Sequence, residues 1–269
     1  MELGLTGKTV IVTGGSSNIG RSISLAFGQE GCNVVIADID QSQAERVNKD
    51  IEMQGSSSLV VKTDVTDWGQ VQAMTKKTID HFGAIDILVN NVGWSPFGFF
   101  VESTPERWDK IIKLNFWSTI CCTKAVLTHM IERKQGDIIN IGSPSSQGMK
   151  TQAMYGACKA AVESFSYALA REVGRWGIRV NVVNPPTPVE PVSPEHRGKD
   201  SMHYPGGEAA ESWKGVPEEE REPIKRSAHP LREIVTPDDV AAMVVLMASA
   251  PARTFTAQTV GTMRGVEFR

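Results

Sequence analysis

Two kinds of segment alternate along the chain: short runs of apolar residues, and longer stretches in which apolar positions recur with helical spacing. The short runs are rich in Val and Ile, which predicts buried strands near residues 8–13, 33–37, 58–63, 85–89, 136–141, 178–183 and 256–260. The longer stretches predict helices near residues 19–30, 41–54, 67–82, 105–133, 152–175 and 237–249. We therefore expect a single α/β domain over residues 1–269, in which a doubly wound parallel sheet of about seven strands carries helices on both faces.

Residues 186–235 interrupt this alternation. They are rich in Pro, Gly, Glu and other charged residues, and they show little apolar periodicity. A long irregular segment inside a compact domain is usually a functional loop. We interpret the segment as a lid over the substrate, with short helices near 207–213 and 217–226.

Composition excludes several classes of function. The chain has 28 Lys and Arg against 31 Asp and Glu, so no basic surface for a nucleic acid is expected. The four cysteines lack the spacing of a metal or redox motif, which predicts no metal site, and the adjacent Cys121 and Cys122 are interpreted as buried apolar residues. With no signal peptide and no apolar run long enough to cross a membrane, the sequence predicts a soluble, cytoplasmic protein without a membrane partner.

A glycine-rich turn follows the first predicted strand and leads into the first helix. Residues 14–20 read GGSSNIG, and glycines at such a turn let the backbone approach a pyrophosphate that the helix N-terminus also attracts. The second strand ends at Asp38, whose carboxylate would accept hydrogen bonds from ribose hydroxyls and repel a 2′-phosphate. Together these features predict a Rossmann-like site that prefers NAD to NADP; an ordinary strand–helix connection is the alternative.

Tyr155 and Lys159 stand four residues apart, which places them on one face of a predicted helix. A phenol is a poor base at neutral pH, but a nearby ammonium favours the phenolate and is expected to lower its pKa. The pair is a candidate proton-transfer device for the interconversion of an alcohol and a carbonyl compound. A purely structural Tyr/Lys pair is the alternative.

Further motifs occur with this pair, in a consistent order along the chain. They are Thr13, Gly14, Asn18, Ile19 and Gly20, then Asp64 and Val65, Asn90, Asn91, Val92 and Gly93, and finally Asn115 and Ser143. In this order the set resembles the landmarks of the classical short-chain dehydrogenase/reductase family. The resemblance extends from about residue 5 to about residue 262. The set of motifs is specific for the family but says very little about which substrate is used.

The resemblance implies a catalytic set. Tyr155 would exchange a proton with the substrate oxygen, and Lys159 would lower its pKa and hold the nicotinamide ribose. Ser143 would hydrogen-bond the substrate oxygen, with Ser145 or Ser146 as alternatives for this role. Asn115 would hold a water that relays protons from Lys159, unless it only marks a kink in its helix.

The resemblance also implies the residues that bind the coenzyme. They are Gly14, Ser16, Ser17, Asn18, Ile19, Gly20, Asp38, Ile39, Asp64, Val65, Asn91 and Gly93, with Tyr155, Lys159, Pro185 and Pro188 around the nicotinamide. Asp64 and Val65 would flank the adenine, although Asp64 is also a candidate cap for the next helix.

The sequence departs from the family pattern at several places, and two of them concern residues expected to bind the coenzyme. Asn18 replaces a glycine, and asparagine tolerates the left-handed backbone that such a turn requires. In residues 184–190 (NPPTPVE), Pro186 replaces a glycine, Pro188 stands where a backbone N–H is expected to hold the nicotinamide carboxamide, and Glu190 falls near an expected threonine. Proline has no N–H, so this contact is expected to be weakened.

We interpret the chain as an NAD-dependent alcohol dehydrogenase or ketoreductase. Its substrate would be a secondary or cyclic alcohol or ketone, and Trp94 and Phe97 suggest an apolar or ring-bearing one. The alternative is a catalytically degenerate subunit that pairs with an active paralogue, and a dehydratase or epimerase is a third hypothesis. By resemblance, the helices near 105–133 and 152–175 would pair across a dimer axis, in a homotetramer or homodimer.

Overall fold

Seven parallel strands form one sheet in the computed structural model of the protein. The structure describes residues 2–186, 189, 193, 196–197, 204, 206–217 and 235–262. The strands are β1 (Thr9–Thr13), β2 (Asn33–Asp38), β3 (Ser58–Lys62), β4 (Ile87–Asn90), β5 (Gly136–Ile141), β6 (Ile178–Asn184) and β7 (Thr259–Gly261). Their order across the sheet is β3-β2-β1-β4-β5-β6-β7. The chain order reverses between β1 and β4, and the predicted doubly wound sheet is confirmed.

Helices cover both faces of the sheet. They are α1 (Asn18–Gln29), α2 (Gln41–Met53), α3 (Trp68–Phe82), α4 (Pro105–Ile112), α5 (Ser118–Arg133), α6 (Ala153–Val173), α7 (Glu208–Lys214) and α8 (Pro237–Ala248). Along β1, Val10 and Val12 pack into the core beneath α1, α2 and α8, whereas Ile11 packs into the core beneath α3, α5 and α6. The strands are therefore apolar on both sides, as a fully covered parallel sheet requires.

The predicted helix over residues 105–133 contains a change of helical type. α4 and α5 are joined by a π-helical turn over Lys113–Trp117. Turns of this type occur mostly at functional sites, and this one contains the fully buried Asn115. The helix extent was predicted correctly, but nothing in the apolar periodicity distinguishes a π turn from an α turn.

The last strand begins later than predicted. The sequence predicts a strand near 256–260, whereas β7 covers Thr259–Gly261. Ala257 has φ 56°, a left-handed conformation that a strand cannot contain. Side chains supplement the backbone contacts of this stretch with β6, because Val180 N donates to Thr256 Oγ1 and Gln258 N donates to Asn181 Oδ1.

Described parts of the predicted lid lie against the body of the fold. Val189 and Val235 form a parallel bridge, so the two ends of the segment meet. The predicted helix near 207–213 is confirmed as α7, and the one near 217–226 lies almost entirely outside the described residues. Ser212 of α7 accepts a hydrogen bond from the backbone N–H of Phe97, at 2.9 Å.

Several smaller expectations can be compared with the structure. All four cysteines are buried, as interpreted for Cys121 and Cys122, and burial raises the pKa of Cys32 to about 12. Of the apolar residues on the 105–133 stretch, Trp117 is 48% exposed, whereas Val126 lies in the core of its own chain. Among the described residues, no helix combines the length and the apolar composition needed to span a bilayer.

Candidate active site

A cleft opens at the carboxyl ends of β1, β4, β5 and β6. We call it the Tyr155 cleft; its lining residues are Ile19, Asn91, Gly93, Ser95, Phe97, Ile141, Gly142, Ser143, Gln152, Tyr155, Lys159, Pro185, Pro186 and Val189. In doubly wound sheets, ligands bind at this edge, where the strand order reverses. The candidate catalytic residues predicted from the sequence are thus brought together, with Asn115 directly beneath.

Tyr155 lies in the first turn of α6 and is half-buried. Burial raises the pKa of Tyr155 to about 12, and the Ser143 hydroxyl, which faces the phenol, opposes the rise. In the chain by itself the pKa is raised and not lowered, because the cost of burying the phenolate dominates; a lowering of this pKa by Lys159 stays a prediction. At neutral pH the phenol is protonated and is a hydrogen-bond donor.

Lys159 follows one helical turn later and is buried. Its Nζ donates to the carbonyl oxygen of Ile141, at the end of β5, at 2.7 Å, and lies 5.7 Å from the centroid of the Tyr155 ring. Burial lowers the pKa of Lys159 to about 8. The amine is therefore fixed below the phenol and titrates close to neutral pH.

Ser143 directly follows β5 and begins a chain of hydrogen bonds. Its hydroxyl donates to Ser145 Oγ at 3.1 Å, and the Ser145 hydroxyl donates to Gln152 Oε1 at 2.7 Å. Ser146, the other alternative, instead donates to Glu163 at 2.9 Å. Ser143 is therefore the serine that contacts Tyr155, and Ser145 supports it.

Asn115 connects the π-helical turn to the loop after β4. Its Nδ2 donates to the carbonyl oxygens of Trp94 and Ile111, at 2.8 and 2.9 Å, and its Oδ1 accepts from Trp94 N at 3.0 Å. The hydrogen bonds of the Asn115 side chain with the Trp94 backbone thus position the loop that carries Gly93 into the cleft. A role of Asn115 in holding a relay water stays a prediction.

The glycine-rich turn has the expected backbone. Asn18 has φ 44°, which confirms the left-handed conformation, and a Cβ on Gly20 would overlap the carbonyl oxygen of Gly14. Among the described residues, none caps the start of α1 through its side chain: Ser17, the N-cap residue, makes no such hydrogen bond. The first N–H groups of α1 are therefore available to an anion.

Asp38 is tied to this turn. Its Oδ2 accepts from Ser16 N at 3.0 Å and from Ser16 Oγ at 2.7 Å, and its Oδ1 accepts from Asp40 N at 3.1 Å. Burial raises the pKa of Asp38, and the three donors oppose the rise. The carboxylate thus fixes the distance between the turn and the end of β2.

Asp38 also borders a second pocket, beside the turn. Its lining residues include Gly14, Asp38, Ile39, Asp64 and Val65, all predicted to contact the coenzyme, together with the unpredicted Lys110 and Lys113. Asp64 accepts from Thr66 N and Thr66 Oγ1, at 2.9 and 2.7 Å. The cap of α3 is Asp67 and not Asp64.

Asn91 joins the two sides of the crevice between β1 and β4. Its Nδ2 donates to the carbonyl oxygens of Thr13 and Gly14, at 2.9 and 3.2 Å. Pro185 and Pro186 are buried in the cleft wall, while Pro188 and Glu190 lie outside the described residues.

Comparison with known proteins agrees with this geometry. The family model described as short chain dehydrogenase matches residues 8–196. The chain belongs to the short chain dehydrogenase family. It is 33% identical over 246 residues to the (2S)-[(R)-hydroxy(phenyl)methyl]succinyl-CoA dehydrogenase subunit BbsD of Thauera aromatica, with 91% of each protein covered. It is 32% identical over 257 residues to galactitol 2-dehydrogenase of Agrobacterium fabrum, with 95% of each covered.

A solved structure is similar over nearly the whole chain. The crystal structure of gox2181 has a TM-score of 0.81 and 31% sequence identity, and the match covers 98% of this chain and 97% of that one. The short chain dehydrogenases are oxidoreductases, and they use a nicotinamide coenzyme. The glycine-rich turn, the uncapped start of α1 and the pocket beside Asp38 fit a dinucleotide of this kind.

Sequence reasoning missed one residue of this short chain dehydrogenase cleft and misplaced another. Gln152 was not singled out, although it stands three positions before Tyr155, and its side chain is buried in the cleft wall. Trp94 was expected in the substrate wall, but it packs in a small core with Ile111 and Cys158, and Lys110 lies 3.9 Å over its ring. An uncharged polar residue beside a motif is the signal that would have identified Gln152.

Proposed function

We propose that the chain transfers a hydride between NAD(H) and a secondary or cyclic alcohol or its ketone, with an apolar or ring-bearing substrate. The observation that carries the proposal is that Ser143, Tyr155 and the buried Lys159 line one cleft, with Lys159 Nζ 5.7 Å from the centroid of the Tyr155 ring. A phenol donor, a hydroxyl and a cation around one point can hold a carbonyl oxygen and exchange a proton with it.

Each of the three residues has a distinct proposed role. Tyr155 donates the proton to the substrate oxygen during reduction and receives it during oxidation. Ser143 hydrogen-bonds the same oxygen and orients it. Lys159 holds a positive charge below the phenol, which favours the phenolate that oxidation requires. When bound, NAD supplies the hydride acceptor and a further positive charge beside the phenol.

A preference for NAD over NADP is proposed from Asp38. Its carboxylate stands at the end of β2, in the pocket beside the glycine-rich turn. A ribose with free hydroxyls can donate to this carboxylate, whereas a 2′-phosphate would be repelled by it. Lys110 and Lys113 also line this pocket, where they form exposed ion pairs with Glu208 at 3.0 Å and with Asp109 at 2.7 Å.

The substrate is proposed to enter beside Phe97, under the segment 186–235 acting as a lid. Phe97, Ile19 and Val189 give this part of the cleft apolar walls. The relatives named above carry dehydrogenase names with different substrates, so the family alone does not choose one. We also propose a homodimer or homotetramer, supported by the exposure of Ile112 and Trp117 on the α4–α5 stretch.

One alternative keeps the fold without the reaction. Pro186 lies in the cleft wall where the family resemblance implies a glycine, and this departure favours a degenerate subunit that pairs with an active paralogue. The presence of Asn115, Ser143, Tyr155 and Lys159 together supports the active enzyme instead.

The test is a panel of secondary and cyclic alcohols, assayed for NADH and NADPH formation with the wild type and with Tyr155→Phe. The wild type is expected to reduce NAD with part of the panel, and the variant to lose about 10²–10⁴-fold in kcat while binding NADH normally in a fluorescence titration. NADH binding without turnover of any alcohol, or of any matching ketone in reverse, would favour the degenerate subunit.

A further inference from the structure

Gln152 places an amide in the wall of the Tyr155 cleft. It is the residue before α6, its side chain is 3% exposed, and it shares the cleft with Ser143 and Tyr155. No capping hydrogen bond to the helix explains its position. A glutamine at this depth needs partners of its own, because a buried polar group without one is costly.

Two serines hold the amide in place, one at each end. The Ser145 hydroxyl donates to Gln152 Oε1 at 2.7 Å, and Gln152 Nε2 donates to Ser95 Oγ. An amide has two N–H donors and an oxygen with two lone pairs. Among the described residues, each end makes one side-chain hydrogen bond, so one donor and one acceptor position remain for a ligand in the cleft.

In the chain of hydrogen bonds, one residue, Ser145, stands between the Gln152 amide and the proposed catalytic residue Ser143. Ser143, which contacts Tyr155, donates to Ser145 at 3.1 Å, and Ser145 in turn donates to Gln152. A substrate whose reacting oxygen is held by Tyr155 and Ser143 would therefore bring the next one or two carbons of its skeleton close to the amide. Because one series of hydrogen bonds joins Ser143 to Gln152, the distance between the two points that contact the substrate is fixed.

The charged side chains around the amide have partners of their own: Arg107, which lines a neighbouring pocket together with Gln152 and Tyr155, donates to the carbonyl oxygen of Phe97 at 3.1 Å. Among the described lining residues of the cleft itself, Lys159 is the one that carries a charge, and its Nζ is bonded to the carbonyl oxygen of Ile141. Among the described residues, a carboxylate or phosphate on the substrate would find no charged partner beside Gln152 that is not already engaged. A hydroxyl or carbonyl group would find both a donor and an acceptor.

We propose that Gln152, held by Ser145 and Ser95, is a subsite for a second, uncharged oxygen of the substrate, located one or two carbons from the reacting carbon. The substrate class is then diols and hydroxy ketones, and not simple alcohols. The inference rests on the proposed function, since it assumes that the reacting oxygen binds at Tyr155. A simple alcohol would leave the buried amide with unmet hydrogen bonds, and sites built around a polar group discriminate strongly against analogues that lack it.

The experiment compares matched substrates in NAD-linked oxidation. Cyclohexanol is assayed against the cyclohexanediols whose second hydroxyl is on the adjacent carbon or one carbon further. The wild type is expected to prefer a diol by at least about tenfold in kcat/KM. Gln152→Met, which keeps the length but not the hydrogen bonds, is expected to bring the ratio near one by losing activity on the diol alone.

Ser146→Ala is the matched control, because it removes a serine hydrogen bond from the same turn, and that bond leads to Glu163, away from the amide. It is expected to keep the wild-type ratio. Thermal unfolding and NADH titration establish that each variant folds and binds coenzyme.

Three outcomes would overturn the inference. A wild type that oxidises cyclohexanol as well as the diols would leave the proposed function intact and remove the subsite. An equal loss on both substrates in Gln152→Met would show that the amide only positions Ser143. Turnover of none of these alcohols, or of the matching ketones in reverse, would overturn the proposed function and the subsite together.

Discussion

Replacing Lys159 by methionine is expected to stabilise the fold while abolishing turnover. The amine is 3% exposed, and burial lowers its pKa from 10.5 to about 8. One pKa unit corresponds to about 1.4 kcal/mol, so holding the protonated amine in the fold costs roughly 3 kcal/mol at neutral pH. Methionine fills a similar volume without charge, but the hydrogen bond to Ile141 is lost, at roughly 1 kcal/mol. The net gain is on the order of 2 kcal/mol.

The direction of the Lys159 pKa shift determines how the free energy of unfolding changes with pH. The pKa of Lys159 is lower in the folded chain than in the unfolded chain, so the unfolded state binds more protons between the two values. The free energy of unfolding of the wild type therefore rises with pH from about 8 to 10.5, and the full penalty is present below about pH 8. The advantage of Lys159→Met should be complete at about pH 7 and shrink as the pH rises through this window.

The assay is urea unfolding at about pH 7 and about pH 9.5, at one protein concentration so that any association is constant. Lys49→Met is the control, because Lys49 is an exposed residue of α2, far from the cleft, and its replacement should leave the pH dependence unchanged. A Lys159→Met variant that is less stable than the wild type at pH 7, or whose advantage does not vary with pH, would refute the reasoning.

Three further outcomes are expected. Because Tyr155 is protonated at neutral pH and Lys159 titrates near pH 8, kcat/KM for ketone reduction by NADH should be constant from about pH 6 to 7.5 and fall above about pH 8; a steady rise over this range would contradict it. Asp38→Ala should lower the NAD/NADP ratio of kcat/KM at least about tenfold, since hydrogen bonds to a charged group are lost, and an unchanged ratio would remove Asp38 as the selector. Gly20→Ala should destabilise the fold by at least roughly 2 kcal/mol in urea unfolding, whereas Gly174→Ala, with open space at its Cβ, should be near neutral; equal midpoints would disprove the crowding.

Sequence reasoning succeeded where the signal is local. The first strand, the glycine-rich turn that ends at Gly20 and the helix α1 are encoded in consecutive residues, and the structure gives Asn18 the left-handed backbone that its position predicts. The doubly wound parallel sheet follows from general rules for alternating strands and helices. The cap of α8 is local in the same way, because Thr236 and Asp239 are three residues apart in the sequence.

The remainder depends on contacts between distant residues. The pKa of Tyr155 depends on burial, which the Tyr155–Lys159 spacing does not encode. The position of the Gln152 amide depends on its hydrogen bond with Ser95, which is 57 residues away in the sequence. The commitment of Asn115 to the Trp94 backbone likewise follows from the fold, so a motif match could not separate a positioning role from a relay role.

The central claim is that hydride moves directly between the coenzyme and the substrate carbon in the Tyr155 cleft while Tyr155 supplies the proton. The direct measurement is mass spectrometry of the alcohol formed from a hydroxy ketone and NADH carrying deuterium on the transferred position. The account predicts one deuterium on the carbinol carbon with the wild type and a rate at least about 10²-fold lower with Tyr155→Phe. Product without deuterium, or an equal rate from the variant, would contradict it.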